Sequence, residues 1–136
     1  HAIEDMFVLD DWFELMIAQN FVLDGLVFPL LFDRFEKKLT IEGGATIAML
    51  TEFMDDWYKE TVRWTNALAK VTSKESDANQ ELLSEWTNKW TDRLVGALEP
   101  VATKAFGADG ITQLTEVKEE LLARLTKNGV TGLKRS

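Results

Sequence analysis

The sequence predicts an all-α fold of about five helices, and three observations carry that prediction. Apolar residues recur at spacings of three, four and seven through most of the 136 residues. No run alternates apolar and polar residues up to a hairpin turn, and Asp109-Gly110 is flanked by helical spacing instead. Helix breakers are confined to Pro29, Gly43-Gly44, residues 72–77, Pro100, Gly107 to Gly110 and Asn128-Gly129.

Taken in order, the first helix is expected over residues 3–28 and a second over residues 29–39. Pro29 separates them, because proline removes a backbone donor and clashes with the preceding turn, kinking a helix or starting a new one. A third helix spans residues 44–71. Leu50, Trp57, Trp64 and Val71 recur every seven residues, with Met54 and Leu68 on the same stripe, and Asp55, Asp56, Lys59, Glu60 and Arg63 make a charged back. Thr72 with Glu75 has the spacing of a capping box, while Ser76 or Asp77 would cap the next helix equally well. That fourth helix carries Leu83, Trp86, Trp90, Leu94, Ala97 and Val101 on one face, with Pro100 near its end. Asp109 is placed to cap the last helix, in which Ile111, Leu114, Val117, Leu121 and Leu125 are spaced by three or four, and Asn128-Gly129 closes it. Residues 1–128 thus read as a helical bundle and residues 129–136 as a loose basic tail. No repeat and no low-complexity tract interrupts this pattern.

Composition narrows the function. With no Cys and a single His at position 1, neither a disulfide framework nor a Cys/His zinc site can be assembled, and a Ser-His-Asp or Cys-His arrangement fails for the same reason. A net charge of -8 argues against a phosphate-neutralising nucleic-acid surface. The charge is uneven, since residues 1–123 hold 11 bases against 23 acids and only Arg124, Lys127, Lys134 and Arg135 follow. Such a tail is either a solvated end or a docking arm for an acidic partner. The length suits one domain, and 46% apolar content is enough for a core. Starting at His1, the chain reads as a processed or excised segment. Glu4, Asp5, Asp10 and Asp11 stand where a secretory leader would be basic and then apolar, so a cytoplasmic setting is expected.

Residues 21–32 contain one charge, Asp24, and are apolar around the whole helical circumference. About a dozen residues are too few for a hydrocarbon core that needs about 20, so no membrane crossing is expected and the segment's solvent is protein on every side. Either it is the central helix of a bundle or one face meets another chain. Gln19, Asn20 and Asp24 lie beside it, and Asn20 and Asp24 share a helical face. They hold a packing register or are ordinary solvated residues. The Trp side chains on the third and fourth helices read as core, with an interface as the alternative. Lys89 could stack on them or pair across a contact.

A di-iron or di-manganese bundle site needs Glu-x-x-His on two helices, and the only His is the first residue. Glu14, Glu52, Asp55, Asp56 and Glu85 read as a solvated face, and no metal or other cofactor is expected in this chain. Gly43-Gly44 and Gly107-Ala108-Asp109-Gly110 follow helices, not strands, so they are turns and not phosphate cradles.

Two stretches carry a resemblance. Trp12-Phe13-Glu14, Ala18-Gln19-Asn20, Val22, Asp24-Gly25-Leu26, Pro29-Leu30 and Phe35 form one, and Trp86-Thr87-Asn88-Lys89-Trp90 forms the other. Together they resemble the hydroxylase beta (small) subunit of the bacterial multicomponent di-iron monooxygenases, the family of the methane, propane, phenol and toluene enzymes. The resemblance implies a ferritin-like helical subunit without iron ligands. It also implies a catalytic alpha subunit holding the di-iron centre, a gamma subunit, a second beta copy, an NADH-dependent reductase and a small regulatory protein. Such subunits are longer than this chain, and the resemblance covers their C-terminal part, with a propane- or phenol-type system preferred. Trp12, Gln19, Asn20 and Asp24 are the expected first contact or packing region, and Trp86 and Trp90 the second. The rival reading is a free-standing helical-bundle interaction module.

Overall fold

The computed structural model describes residues 1–41 and 45–135. A short helix α1 (Ala2–Met6) precedes four long helical rods: α2 (residues 12–41), α3 (Ala45–Glu75), α4 (Asp77–Phe106) and α5 (Gly110–Lys127). The described residues contain no strand. The expected break at Gly43-Gly44 lies outside the described residues.

The first helix predicted from sequence is interrupted at residues 7–11, because Asp11 is an N-cap. Its carboxylate accepts hydrogen bonds from the backbone N–H groups of Phe13 (2.8 Å) and Glu14 (3.3 Å), so α2 starts afresh at Trp12. The expectation that Pro29 separates two helices is also corrected. α2 is continuous in helical structure, with π-helical stretches at Ile17–Leu23 and Phe28–Phe35. In the first of these the Asp24 N–H reaches the Gln19 carbonyl five residues back. The wider turn of the second accommodates a proline ring that α geometry would press onto the Gly25 carbonyl.

α2 is the centre of the fold. Ile17, Ala18, Phe21, Val22, Leu26 and Leu30 are fully buried, and α3, α4 and α5 all pack against it. Its residues 12–39 are long and apolar enough to cross a membrane by length and composition, so length does not decide its setting. Somewhat under half of that apolar stretch is buried inside the bundle.

One residue joins α3 to α4. Ser76 is extended and its hydroxyl accepts from the Asn79 N–H (3.1 Å), which selects Ser76 from the capping alternatives. Thr72 lies inside α3 and is buried. α4 passes through Pro100 and ends at Gly107, whose φ of +61° favours glycine. Gly110 opens α5 against α4 so closely that a Cβ would stand 2.5 Å from the Ala102 carbonyl oxygen. Asp109 occupies the N-cap position of α5 without a side-chain capping bond. The other end closes as a Schellman motif, with Val130 N–H on the Leu125 carbonyl (3.1 Å), Gly129 N–H on that of Thr126 (3.1 Å) and Gly129 at φ +101°.

The tail expected to be loose is instead laid along α4. Val130 is fully buried, and Gln80, Ser84 and Asn88, spaced by four on α4, form a polar ladder beneath the tail's backbone. The Asn88 amide donates to the Gly132 carbonyl (2.9 Å) and accepts from the Lys134 N–H (2.8 Å). Arg135 reaches Glu119 at 3.2 Å. Each such bond contributes about 1 kcal/mol net, so Asn88→Ala is expected to speed hydrogen exchange of the tail amides on the order of tenfold. Unchanged exchange would show that Val130 alone holds the tail.

Candidate interaction surfaces

Trp12, Trp86 and Trp90 gather at the start of α2 around Phe13 and Glu14, while Gln19, Asn20 and Asp24 lie further along that helix. Trp90 is fully buried, and its indole N–H donates to Glu14 Oε1 at 2.9 Å. The same oxygen accepts from Lys89 Nζ at 2.7 Å, so one buried carboxylate joins α2 to α4. Lys89 and Arg93 also lie over the Trp90 ring, 5.5 and 5.1 Å from its centroid, and Arg93 pairs with Asp5. Trp86 is half-buried, edge-on to Phe13 at 5.9 Å, and Phe13 in turn sits 5.7 Å from Trp12. Trp12 ends this aromatic chain with 72% of its surface in solvent. Glu14, read from sequence as solvated, and Lys89, read as free to pair across a contact, are therefore partners inside the chain.

Asn20 and Asp24 form the expected pair, Asn20 Nδ2 to Asp24 Oδ2 at 3.3 Å, and both are half-buried. Burial pushes the Asp24 carboxyl above its ordinary pKa, and the Asn20 bond opposes that shift. Gln19 faces outward, away from them.

α3 overturns its predicted orientation. Trp57 and Trp64, expected in the core, are 52% and 42% exposed, and Val71 is 66% exposed. Met49 and Phe53 continue this outward stripe, while the Leu50 side chain lies outside the described residues. The inward face is Thr61, Thr65, Ala69 and Thr72. Threonine can face a core here because its own helix satisfies the hydroxyl: Thr61 donates to the Trp57 carbonyl (3.2 Å) and Thr65 to the Thr61 carbonyl (2.7 Å). The small face allows close approach to α4, and the large apolar face is left outside.

A cleft of about 440 Å³ opens between α2, α3 and α5. Phe28 sits at its wall, stacked on Tyr58 at 5.1 Å and packed against Phe32 at the same distance. Gly25 is required here, since a Cβ would stand 2.7 Å from Leu121 Cδ1 and 3.4 Å from Arg124 Nη2. Arg124 reaches across to donate to Asn66 Oδ1 at 2.7 Å and to Thr65 Oγ1 at 3.4 Å, close to the Tyr58 hydroxyl. Burial lowers the pKa of this guanidinium and raises that of the Tyr58 phenol. Sequence reasoning missed both residues. The available signal was Arg124 continuing the Val117 and Leu121 face at a spacing of three, a charge within an apolar stripe.

Several carboxylates on the helices are paired with the chain's own cations. Besides Glu14, Asp55 pairs with Lys59 (2.6 Å), Asp33 with Lys37 (2.5 Å), and Glu116 and Glu120 with Arg34 (2.5 and 2.7 Å). Among the described residues no group of three or more His, Cys, Asp or Glu is gathered to hold a metal. Exposed apolar side chains lie on α3 (Met49, Phe53, Trp57, Trp64 and Val71) and near the start of α2 (Phe7, Val8 and Trp12).

Residues 1–76 match the family profile of methane/phenol/alkene hydroxylases. The chain belongs to this family. It is 48% identical over 128 residues to DmpL, an oxygenase component of phenol 2-monooxygenase from Pseudomonas sp. (strain CF600), covering 94% of this chain and 38% of DmpL. It is 32% identical over 130 residues to MhpL, the corresponding component from Acinetobacter pittii (strain PHEA-2), covering 96% of this chain and 38% of that one. The crystal structure of xenon-pressurised phenol hydroxylase from Pseudomonas sp. OX1 superposes with a TM-score of 0.84 at 45% identity, covering 93% of this chain and 38% of that chain. The resemblance read from the two motifs is thus confirmed at the level of the family, and the all-α bundle is the ferritin-like fold of these hydroxylases. The hydroxylase relatives are all much longer, and this chain spans about two fifths of each.

Two substitutions probe the buried polar groups. Glu14→Ala leaves the Trp90 N–H and Lys89 without their acceptor and is expected to destabilise by about 1–3 kcal/mol, whereas Glu14→Gln, which keeps an acceptor oxygen, costs less. Equal losses in chemical denaturation would show that packing, not the hydrogen bonds, matters here. For Asp24 the folded pKa lies above the unfolded value of 3.8. The folded state therefore binds the proton more tightly, and stability falls as pH rises from 3.8 through the raised value. Asp24→Asn is expected to remove this dependence, so its stability advantage over the parent grows with pH across that window. A pH-independent difference in thermal unfolding would contradict the assignment.

Proposed function

We propose that this chain is the C-terminal part of the non-catalytic beta subunit of a phenol-oxidising hydroxylase, and that its work is to hold the catalytic subunit in place. The observation that carries this reading is the outward stripe of α3, with half-exposed Trp57 and Trp64 backed by a threonine face that satisfies itself. Contiguous exposed aromatic surface of this kind marks a protein contact, and Trp is prominent among binding hot spots. A second exposed apolar patch, Phe7, Val8 and Trp12, lies at the start of α2.

The residues present do not fit a di-iron centre. Glu14 is taken by Trp90 and Lys89, and the only imidazole is that of His1. The iron is therefore assigned to a catalytic alpha subunit, and no chemical step is routed through this chain. The assembly proposed around it contains alpha, gamma and a second beta copy. A reductase supplies NADH-derived electrons and a regulatory protein completes the system, all in the cytoplasm. The names of DmpL, MhpL and the OX1 enzyme support phenol as the substrate.

The test is co-purification of the subunit from its source, with metal analysis of what accompanies it. An iron-containing larger chain at fixed stoichiometry is expected, and a lone helical protein would favour the free-standing module. Trp57→Glu with Trp64→Glu should leave circular dichroism unchanged, because both indoles are half-exposed. It should weaken association by about 30-fold or more, a hot-spot loss of about 2 kcal/mol. Unaltered affinity would remove this face from the interface.

A further inference from the structure

We infer that the cleft between α2, α3 and α5 is the seat of a helix from the remainder of the same subunit, one that brings an acidic side chain to Arg124. The inference rests on the reading of this chain as part of a longer beta subunit.

The cleft is built to receive apolar atoms. Phe28, Phe32, Tyr58, Val62 and Leu121 line the opening of about 440 Å³, and a second opening of about 460 Å³ continues from it past Phe32, Asp33 and Asp55 toward Met49. Together they form one groove along the second π-helical stretch of α2, bordered by Met49 and, where Phe28 packs on Trp57 at 5.1 Å, by the edge of the α3 stripe. An apolar groove between helices is the usual receptor for an amphipathic helix.

Charge then selects the occupant. Around Arg124 the rim acids have their own cations, Asp33 with Lys37, Asp55 with Lys59 and Glu120 with Arg34, while Glu36 and Glu52 line only the second opening. Arg124 is the exception among the cations that line the cleft. Its neighbours are the neutral groups of Asn66, Thr65 and Tyr58, and among the described residues no carboxylate forms an ion pair with it. A largely buried guanidinium without a counter-charge is costly, and a carboxylate arriving through the open side of the cleft would remove that cost. The length of the relatives indicates where this carboxylate comes from. This chain accounts for 38% of each of two related polypeptides and of a solved one, so more than half of each lies outside the part matched here. The family match over residues 1–76 includes α2 and α3, the two helices that form the long walls of the groove.

The experiment places the photo-crosslinker p-benzoylphenylalanine at Phe32 in the full-length subunit within the purified hydroxylase, prepared from mixed light- and heavy-isotope copies. After irradiation the crosslinked peptides are mapped by mass spectrometry. The expected product joins residue 32 to a peptide of the same copy that lies outside these 136 residues and contains Asp or Glu. A crosslink to the catalytic subunit, a light–heavy crosslink between copies, or no crosslink beyond these residues would overturn the inference. Arg124→Met should raise hydrogen exchange of the crosslinked peptide at least about tenfold, and Arg124→Lys should restore part of the protection. Equal exchange in both variants would also overturn it. Because the crosslink is read within one polypeptide, it is informative whether or not an iron-containing chain co-purifies, so failure here is distinct from failure of the subunit reading.

Discussion

Ile17, Ala18, Phe21, Val22, Leu26 and Leu30 of α2 are fully buried, and their burial needs close cover by protein. α3, α4 and α5 supply it, and the remaining features follow from how they reach that rod. Gly25 lets α5 lie against α2, Gly110 lets α5 turn back onto α4, and the Glu14 carboxylate bonds the start of α2 to Trp90 in the middle of α4. The π-helical stretches keep the rod continuous through Pro29, so one helix and not two forms the centre.

This arrangement consumes the small and polar-compatible faces of its neighbours and leaves large apolar faces unused. α3 turns threonines inward because their hydroxyls bond to their own helix, and it turns Met49, Phe53, Trp57, Trp64 and Val71 outward. A chain that had to be stable alone would do the reverse. A subunit of an assembly gains from the same choice, since aromatic burial is deferred to association, where it provides both affinity and orientation. The buried Glu14 carboxylate is likewise used structurally, held by Lys89 and the Trp90 indole.

The helices themselves were largely legible in the sequence, as were Leu83, Trp90 and Leu94 of α4 and Leu114, Val117, Leu121 and Leu125 of α5, because a period of three to four apolar residues reports which face avoids water. Ala97, Val101 and Ile111, read on the same stripes, lie at the helix ends nearest the α4–α5 turn and are exposed. Asn128-Gly129 as a stop was readable for similarly local reasons, and Ser76 was one of three capping alternatives among which the structure chose. Periodicity does not report whether the neighbour covering a face belongs to the same chain, and for that reason Trp57 and Trp64 were assigned to the core. The tail escaped notice because its ties, the Gln80, Ser84 and Asn88 ladder, are long-range and polar. Of the residues read as contact or packing positions, Trp86, Trp90 and the Asn20–Asp24 pair make contacts within the chain. Their partner Glu14 and the Tyr58–Arg124 pair depend on helices meeting in space, which no single-sequence spacing encodes.

The central claim is that the outward stripe of α3 is an interface and not a solvent face. Hydroxyl-radical footprinting of the intact hydroxylase measures this most directly, by comparing oxidation of Trp57 and Trp64 in the assembled complex with that in the dissociated subunit. The account predicts strong protection of both indoles on assembly, with Trp90 protected in either state because it is buried within the chain. Equal oxidation of Trp57 and Trp64 in complex and free subunit would contradict it.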